Sequence, residues 1–134
     1  MGMDLDEAHR FADEWAADWN SHDLDRITRH YAPHVIFTSP LAARIVEDSN
    51  GVIRGLDALR TYWAEGLRRN PQLHFEILGV YTGIDTIVIH FQHQTGQLSA
   101  EVLTFHNNKI ITGTATHGPA EELYVKEQEE EEQR

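Results

Sequence analysis

The chain has 134 residues, with 11 Lys and Arg against 22 Asp and Glu, a formal net charge of −11. It has no cysteine, which excludes disulfide scaffolds, zinc–thiolate sites, iron–sulfur clusters and cysteine nucleophiles. The length suits one domain, and the acidic balance argues against nucleic acid or an anionic membrane surface as partner.

Residues 5–19 fit an amphipathic helix. Leu5, Ala8, Phe11, Ala12, Trp15, Ala16 and Trp19 fall in one arc, while Asp6, Glu7, Arg10, Asp13, Glu14 and Asp18 take the other side. The acids near the N-terminus are therefore expected to coat a solvated helix face. Asn20-Ser21-His22-Asp23 breaks the pattern, and Ser21 or Asp23 can cap a second, short helix. Leu24, Ile27 and Tyr31 mark its face, and Pro33 is expected to end it. Val35–Thr38 reads as a strand closed by Ser39-Pro40. Residues 41–54 read as a loop or irregular hairpin turning at Ser49-Asn50-Gly51. A third helix starts near Gly55, carries Leu56, Leu59, Trp63 and Leu67 on one face, and stops at Asn70-Pro71.

Four strands follow: Leu73–Thr82, Thr86–Gln94, Gln97–His106 and Lys109–His117. Thr95-Gly96 and Asn107-Asn108 are short enough for tight hairpins. Helices first and an antiparallel meander after make an α+β pattern. Alternation divides each strand into two faces. Val88, His90, Gln92 and Gln94 are grouped with Gln97, Ser99, Glu101, Leu103 and Phe105 on a mixed face. Ile87, Ile89, Phe91 and His93 are grouped with Leu98, Ala100, Val102, Thr104, Ile110, Thr112 and Thr114 on an apolar face. The helices can cover one face, so a second copy of the chain is expected on the apolar one.

Residues 121–134 hold seven acids and two bases. This tail is expected to be disordered, leaving residues 1–120 as the domain. Asp4, Asp6 and Glu7 stand where a secretory signal would be basic, and no stretch approaches the roughly 18 apolar residues of a membrane span. A cytoplasmic protein is expected.

The elements arrive in the order helix, Trp19–Asp25, helix, Tyr31-Ala32-Pro33, strand, Ser39-Pro40, Arg54-Gly55, helix and four long strands. This arrangement, over residues 5–118, resembles the SnoaL-like branch of the nuclear transport factor 2-like (NTF2-like) superfamily. The resemblance implies a cone of three N-terminal helices on a strongly curved, mostly antiparallel sheet. It also implies a pocket between helices and sheet, and homodimers through the outer sheet face. The superfamily hosts isomerases, hydrolases, cyclases, dehydratases and carriers, so the fold alone names no reaction.

Set beside the ketosteroid isomerase pattern, Ser39 occupies the place of the general base, Trp15 that of the oxyanion tyrosine, and Glu101 falls at or next to the second oxyanion group. Serine has no useful basicity near neutral pH and tryptophan cannot act as an acid. The limonene-epoxide-hydrolase pattern needs an arginine two residues before Glu101, where this chain has Ser99. Neither mechanism carries over intact.

The pocket face instead offers Glu101, His90 and His117 for proton transfer, with Gln92 beside His90. Walls are expected from Trp15, Trp19, Phe37, Ser39, Tyr62, Trp63, Val88, Leu103 and Phe105. The expected ligand is a small apolar or polycyclic compound, with no cofactor. The expected activity is cofactor-independent isomerisation, dehydration or hydrolysis. A non-catalytic binding pocket and a dimeric interaction module are the alternatives. Nine histidines raise the question of a metal. However, His90 and His93 point to opposite strand faces, Pro33 separates His30 from His34, and His74, His93 and His106 are expected outside or at strand ends. No metal site is expected.

Overall fold

The computed structural model describes residues 3–120; the acidic segment 121–134 lies outside the described residues. Helix α1 spans Leu5–Ser21. Asp4 caps it by accepting from the Glu7 amide, and His22 closes it in the left-handed conformation. Its buried face is Ala8, Ala12, Trp15, Ala16 and Trp19; of the stripe that periodicity selects, Leu5 is exposed and Phe11 only half-buried. Asp18 departs from that reading. It is 1% exposed, and its carboxylate accepts from Arg26, Arg29 and His30. Those donors come from the next helix and the residues after it, so the acid ties α1 to the following chain.

Asp23 caps α2 (Leu24–Thr28). The chain then turns directly into β1 (Tyr31–Thr38). The strand starts four residues earlier than expected, and Pro33 lies inside it instead of ending a helix. A register irregularity between Tyr31 and Ile36 accommodates the proline's missing N–H. The stretch read as a loop contains α3 (Pro40–Ile45), with Ser39 as its cap, and the short strand β2 (Val52–Arg54). Helix α4 (Leu56–Arg69) buries Leu59, Tyr62 and Trp63. Four helices are therefore present among the described residues, one more than expected.

The meander is β3 (Phe75–Gly83), β4 (Thr86–His93), β5 (Gln97–His106) and β6 (Lys109–Ala120). The six strands form one sheet in the order β2-β1-β6-β5-β4-β3, antiparallel except for the β1–β6 pair. Register shifts interrupt the β3–β4, β5–β6 and β1–β6 pairs. Such bulges bend the sheet around the helices. Asn20 acts as a strand substitute at the edge: its side chain accepts from the Phe75 amide at 2.7 Å and donates to the Phe75 carbonyl at 3.0 Å. His22 bonds the Leu73 carbonyl at 2.8 Å. The Trp-Asn-Ser-His segment thus fixes the end of α1 to the start of β3.

The β4–β5 register corrects the face assignment. A two-residue loop at Thr95-Gly96 would pair Gln94 with Gln97 and His90 with Glu101. The loop instead has three residues, ending on Gly96 at φ 89°. Gln92 therefore faces Leu98, His90 faces Ala100 and Ile89 faces Glu101. One added loop residue moves every β4 side chain to the other face. Ile87, Ile89, Phe91 and His93 point towards the helices. Val88, His90 and Gln92 stand on the outer face with Ala100 and Val102. Ile110 also joins the core, fully buried, because the strand pairing slips between Thr104 and Phe105. No helix among the described residues is long and apolar enough to cross a membrane.

Candidate active site: a buried carboxyl in an apolar cavity

Helices α1, α3 and α4 and the concave sheet face enclose a cavity of about 300 Å³, at the lower end of the range for small-molecule sites. Aromatic packing builds its walls. Trp19 meets Trp63 edge-on at 5.0 Å, Trp63 meets Phe37 at 5.5 Å, and Phe75 meets Phe91 at 4.6 Å. Gly113 makes room for the Phe37 wall: a Cβ there would lie 2.7 Å from the Phe37 ring. Only glycine lets β6 pass under this ring.

Glu101 lies in this cavity, 7% exposed. Its cross-strand neighbours are Ile89 and Ala115, neither able to donate a hydrogen bond through its side chain. Oε2 has no hydrogen-bond partner in the protein. Burial alone pushes its pKa up to about 8, so near neutral pH the group is chiefly a neutral carboxylic acid. The Tyr31 hydroxyl lies within reach of its field, and burial together with a Glu101 charge would raise the tyrosine pKa. Tyr31 accepts from Trp15 Nε1 at 3.3 Å. Trp19 Nε1, also on a cavity-lining residue, is a second buried polar atom without a partner.

Ser39 and Tyr62 share a hydrogen bond of 2.9 Å at the cavity wall. The Ser39 hydroxyl also accepts from the Leu41 and Ala42 amides, so it serves as the α3 cap. A third group lies on β4–β6. Ser99 Oγ bonds His93 Nε2 at 2.8 Å and His117 Nδ1 at 3.1 Å. Burial, then the neighbouring His117, brings the His93 pKa down to about 4. Burial, then Arg44, lowers that of His117. Both imidazoles are neutral near pH 7.

The sequence-selected residues divide clearly. Glu101, His117, Trp19, Phe37, Ser39, Tyr62 and Trp63 line the cavity. Leu103 is core beneath it, Trp15 packs behind it, and Phe105 turns to Phe11 outside it. Val88, His90 and Gln92 are on the opposite sheet face, so no Glu101–His90 pair exists. His93 and Ser99, absent from the expected set, line the cavity. Period two from the Ile87-Ile89-Phe91 stripe was the signal that places His93 inside. Among the described residues, Glu14, Asp18 and His30 are spaced like metal ligands. Arg29 already bridges Glu14 and Asp18, and the acids serve that ion-pair network.

The layered helices packed on a curved sheet, with the cavity between them, are the architecture of the NTF2-like class. A family model described as a SnoaL-like domain matches residues 12–121, and the chain belongs to that family. It is 35% identical to a SnoaL-like protein of Burkholderia thailandensis, with a TM-score of 0.79, over 84% of this chain and 94% of that one. It shares its fold with AclR, a candidate hydroxylase of Streptomyces galilaeus, at 18% identity and TM-score 0.67, covering 92% and 96% of the two chains. It likewise shares its fold with a candidate ketosteroid isomerase of Kribbella flavida, at 11% identity and TM-score 0.67, covering 87% and 82%. No curated protein matches the chain.

Proposed function

We propose that the cavity binds a small, neutral, apolar compound carrying a carbonyl or hydroxyl oxygen, and that Glu101 acts on it as a general acid without a cofactor. One observation carries this reading: Glu101 Oε2 is buried in an apolar cavity with no partner. An unsatisfied buried polar atom is costly. A ligand oxygen accepting from the protonated carboxyl would satisfy it. An apolar wall suits an uncharged ligand body, and the partnerless Trp19 N–H offers a second donor.

For a ketone, the acid would protonate the carbonyl oxygen as a base removes an α-proton, giving an enol and a Glu101 carboxylate. The return path puts a proton back on carbon. This is the common step of isomerisation and of many dehydrations. Ser39 cannot serve as the base, since its hydroxyl is held in the α3 cap and by Tyr62.

The test uses two bicyclic probes. 2-Naphthol should bind and change the fluorescence of Trp19 and Trp63. α-Tetralone in D₂O should exchange its α-protons, followed by NMR. Glu101→Gln should keep 2-naphthol binding and lower exchange about 100-fold. Binding without exchange in the wild type would reduce the site to a binding pocket. No binding of either probe would overturn the reading.

The same family resemblance supports a homodimer through the outer sheet face. Tyr81, 61% exposed, leads a row through Val88 and Val102 to Thr114 across the strands. A second copy would cover this row. Sedimentation at micromolar concentration should give a dimer that Val102→Asp dissociates; a monomeric wild type would refute it.

A further inference from the structure

We propose that His93, Ser99 and His117 form a proton relay between the cavity and solvent, with His93 as the base that faces the ligand. This deepens the acid–base reading above, on which it rests. Three observations carry it. All three residues line the cavity. The serine hydroxyl sits between the two rings at 2.8 and 3.1 Å. Ser99 is 3% exposed, whereas His117 is exposed on β6.

A hydroxyl has one proton to donate. If Ser99 donates to His117 Nδ1, it accepts from His93 Nε2–H, and His93 Nδ1 is left with a free lone pair. If Ser99 donates to His93 Nε2, it accepts from His117 Nδ1–H, and the free lone pair moves to His117 Nε2. The rings are therefore locked into opposite tautomers relative to the serine. In the first arrangement, His93 Nδ1 takes a proton from a ligand carbon. The Nε2 proton passes to Ser99 Oγ, the serine's own proton passes to His117 Nδ1, and the His117 Nε2 proton leaves to water. The carbon–hydrogen bond breaks, its electron pair stays on the ligand, and one proton reaches solvent. The chain ends in the second arrangement. Running backwards, it restores the first and returns a solvent proton to the ligand. Neither ring carries a lasting charge, in keeping with a site that disfavours imidazolium.

Backbone pairing makes this geometry. Phe91 faces Ser99, which faces His117. His93 lies one inward position beyond Phe91 on β4 and reaches back to the serine. His93 would be catalytic by contact with the ligand. Ser99 and His117 act through it, as positioning residues.

The experiment reads ring ¹⁵N shifts of the two histidines in the ligand-free protein at pH 7, and α-tetralone exchange in D₂O. The wild type should show neutral rings, with the nitrogen facing Ser99 protonated in one and bare in the other. Ser99→Ala should release this coupling and change the tautomer balance of at least one ring. It should slow exchange about 10-fold or more, with 2-naphthol affinity held within about twofold. If Ser99→Ala perturbs the fold, His117→Gln tests the chain from its solvent end and should slow exchange similarly. Unchanged tautomers in Ser99→Ala, or exchange at the wild-type rate in both variants, would overturn the relay. A wild type with no exchange but coupled tautomers would also overturn the relay, leaving the Ser99 contacts as hydrogen bonds that hold the cavity wall; binding of 2-naphthol in that protein would show that the pocket itself survives.

Discussion

Glu101 faces Ile89 across the β4–β5 ladder and Ala115 across the β5–β6 ladder, so neither cross-strand neighbour offers a hydrogen bond through its side chain. These pairings leave Oε2 unsatisfied, and burial among such neighbours raises the pKa to about 8. That shift has a consequence for stability.

An unfolded glutamate titrates near 4.5 and the folded one near 8. Below 4.5 both states hold the proton and the group is neutral in its effect. Between the two values only the folded state holds it, so stability falls as pH rises, then levels above about 8. The loss is on the order of a few kcal/mol. Glu101→Gln should therefore gain stability relative to wild type between pH 5 and 9, measured by urea denaturation at each pH. A constant difference would mean that the carboxyl is not desolvated.

His93 has the opposite sign. Its folded pKa lies near 4, below the ordinary 6.5. Between those values the unfolded state binds more protons, so stability falls as pH drops from about 6.5 towards 4. His93→Gln should flatten this acid-side loss in thermal melts taken at pH 4 to 7. If the slope is the same in both proteins, His93 is not held neutral by burial.

Phe37 rests on Gly113, and a Cβ there would fall within 2.7 Å of the ring. Gly113→Ala should cost about 1–3 kcal/mol. Because Phe37 is a cavity wall, the variant should also weaken 2-naphthol binding. Wild-type binding together with wild-type stability would show that the ring moves freely.

Asp18 is the buried hub for Arg26, Arg29 and His30. Asp18→Ala leaves those donors without their acceptor and should destabilise the fold by about 2–4 kcal/mol. Exchange by the remaining folded protein should be unchanged, since the hub lies away from the cavity.

His90→Ala is the control. The side chain stands on the outer face, so probe binding and α-proton exchange should match wild type. A tenfold loss of either would contradict the register that separates His90 from Glu101.

Local rules carried the α+β class, most of the buried stripe of α1, the α2 cap as Ser21 or Asp23, and the Asn107-Asn108 hairpin. Helical and strand periods, capping chemistry and turn residues act over a few neighbours, so they can be read along the chain. Glu101 could be selected the same way, as an acid within an alternating strand. Local rules did not separate Asp18 from the exposed acids of α1, because its partners come from the following elements. They did not place His93 beside Ser99 and His117 either. That depended on a third residue in the β4–β5 loop, whose effect is a one-place change in register. Read along the chain, local rules reach the long helices and the meander and the faces these can present, but not α3 or β2. Tertiary structure decided which strand faces meet, because pairing has period two and one residue of loop inverts it.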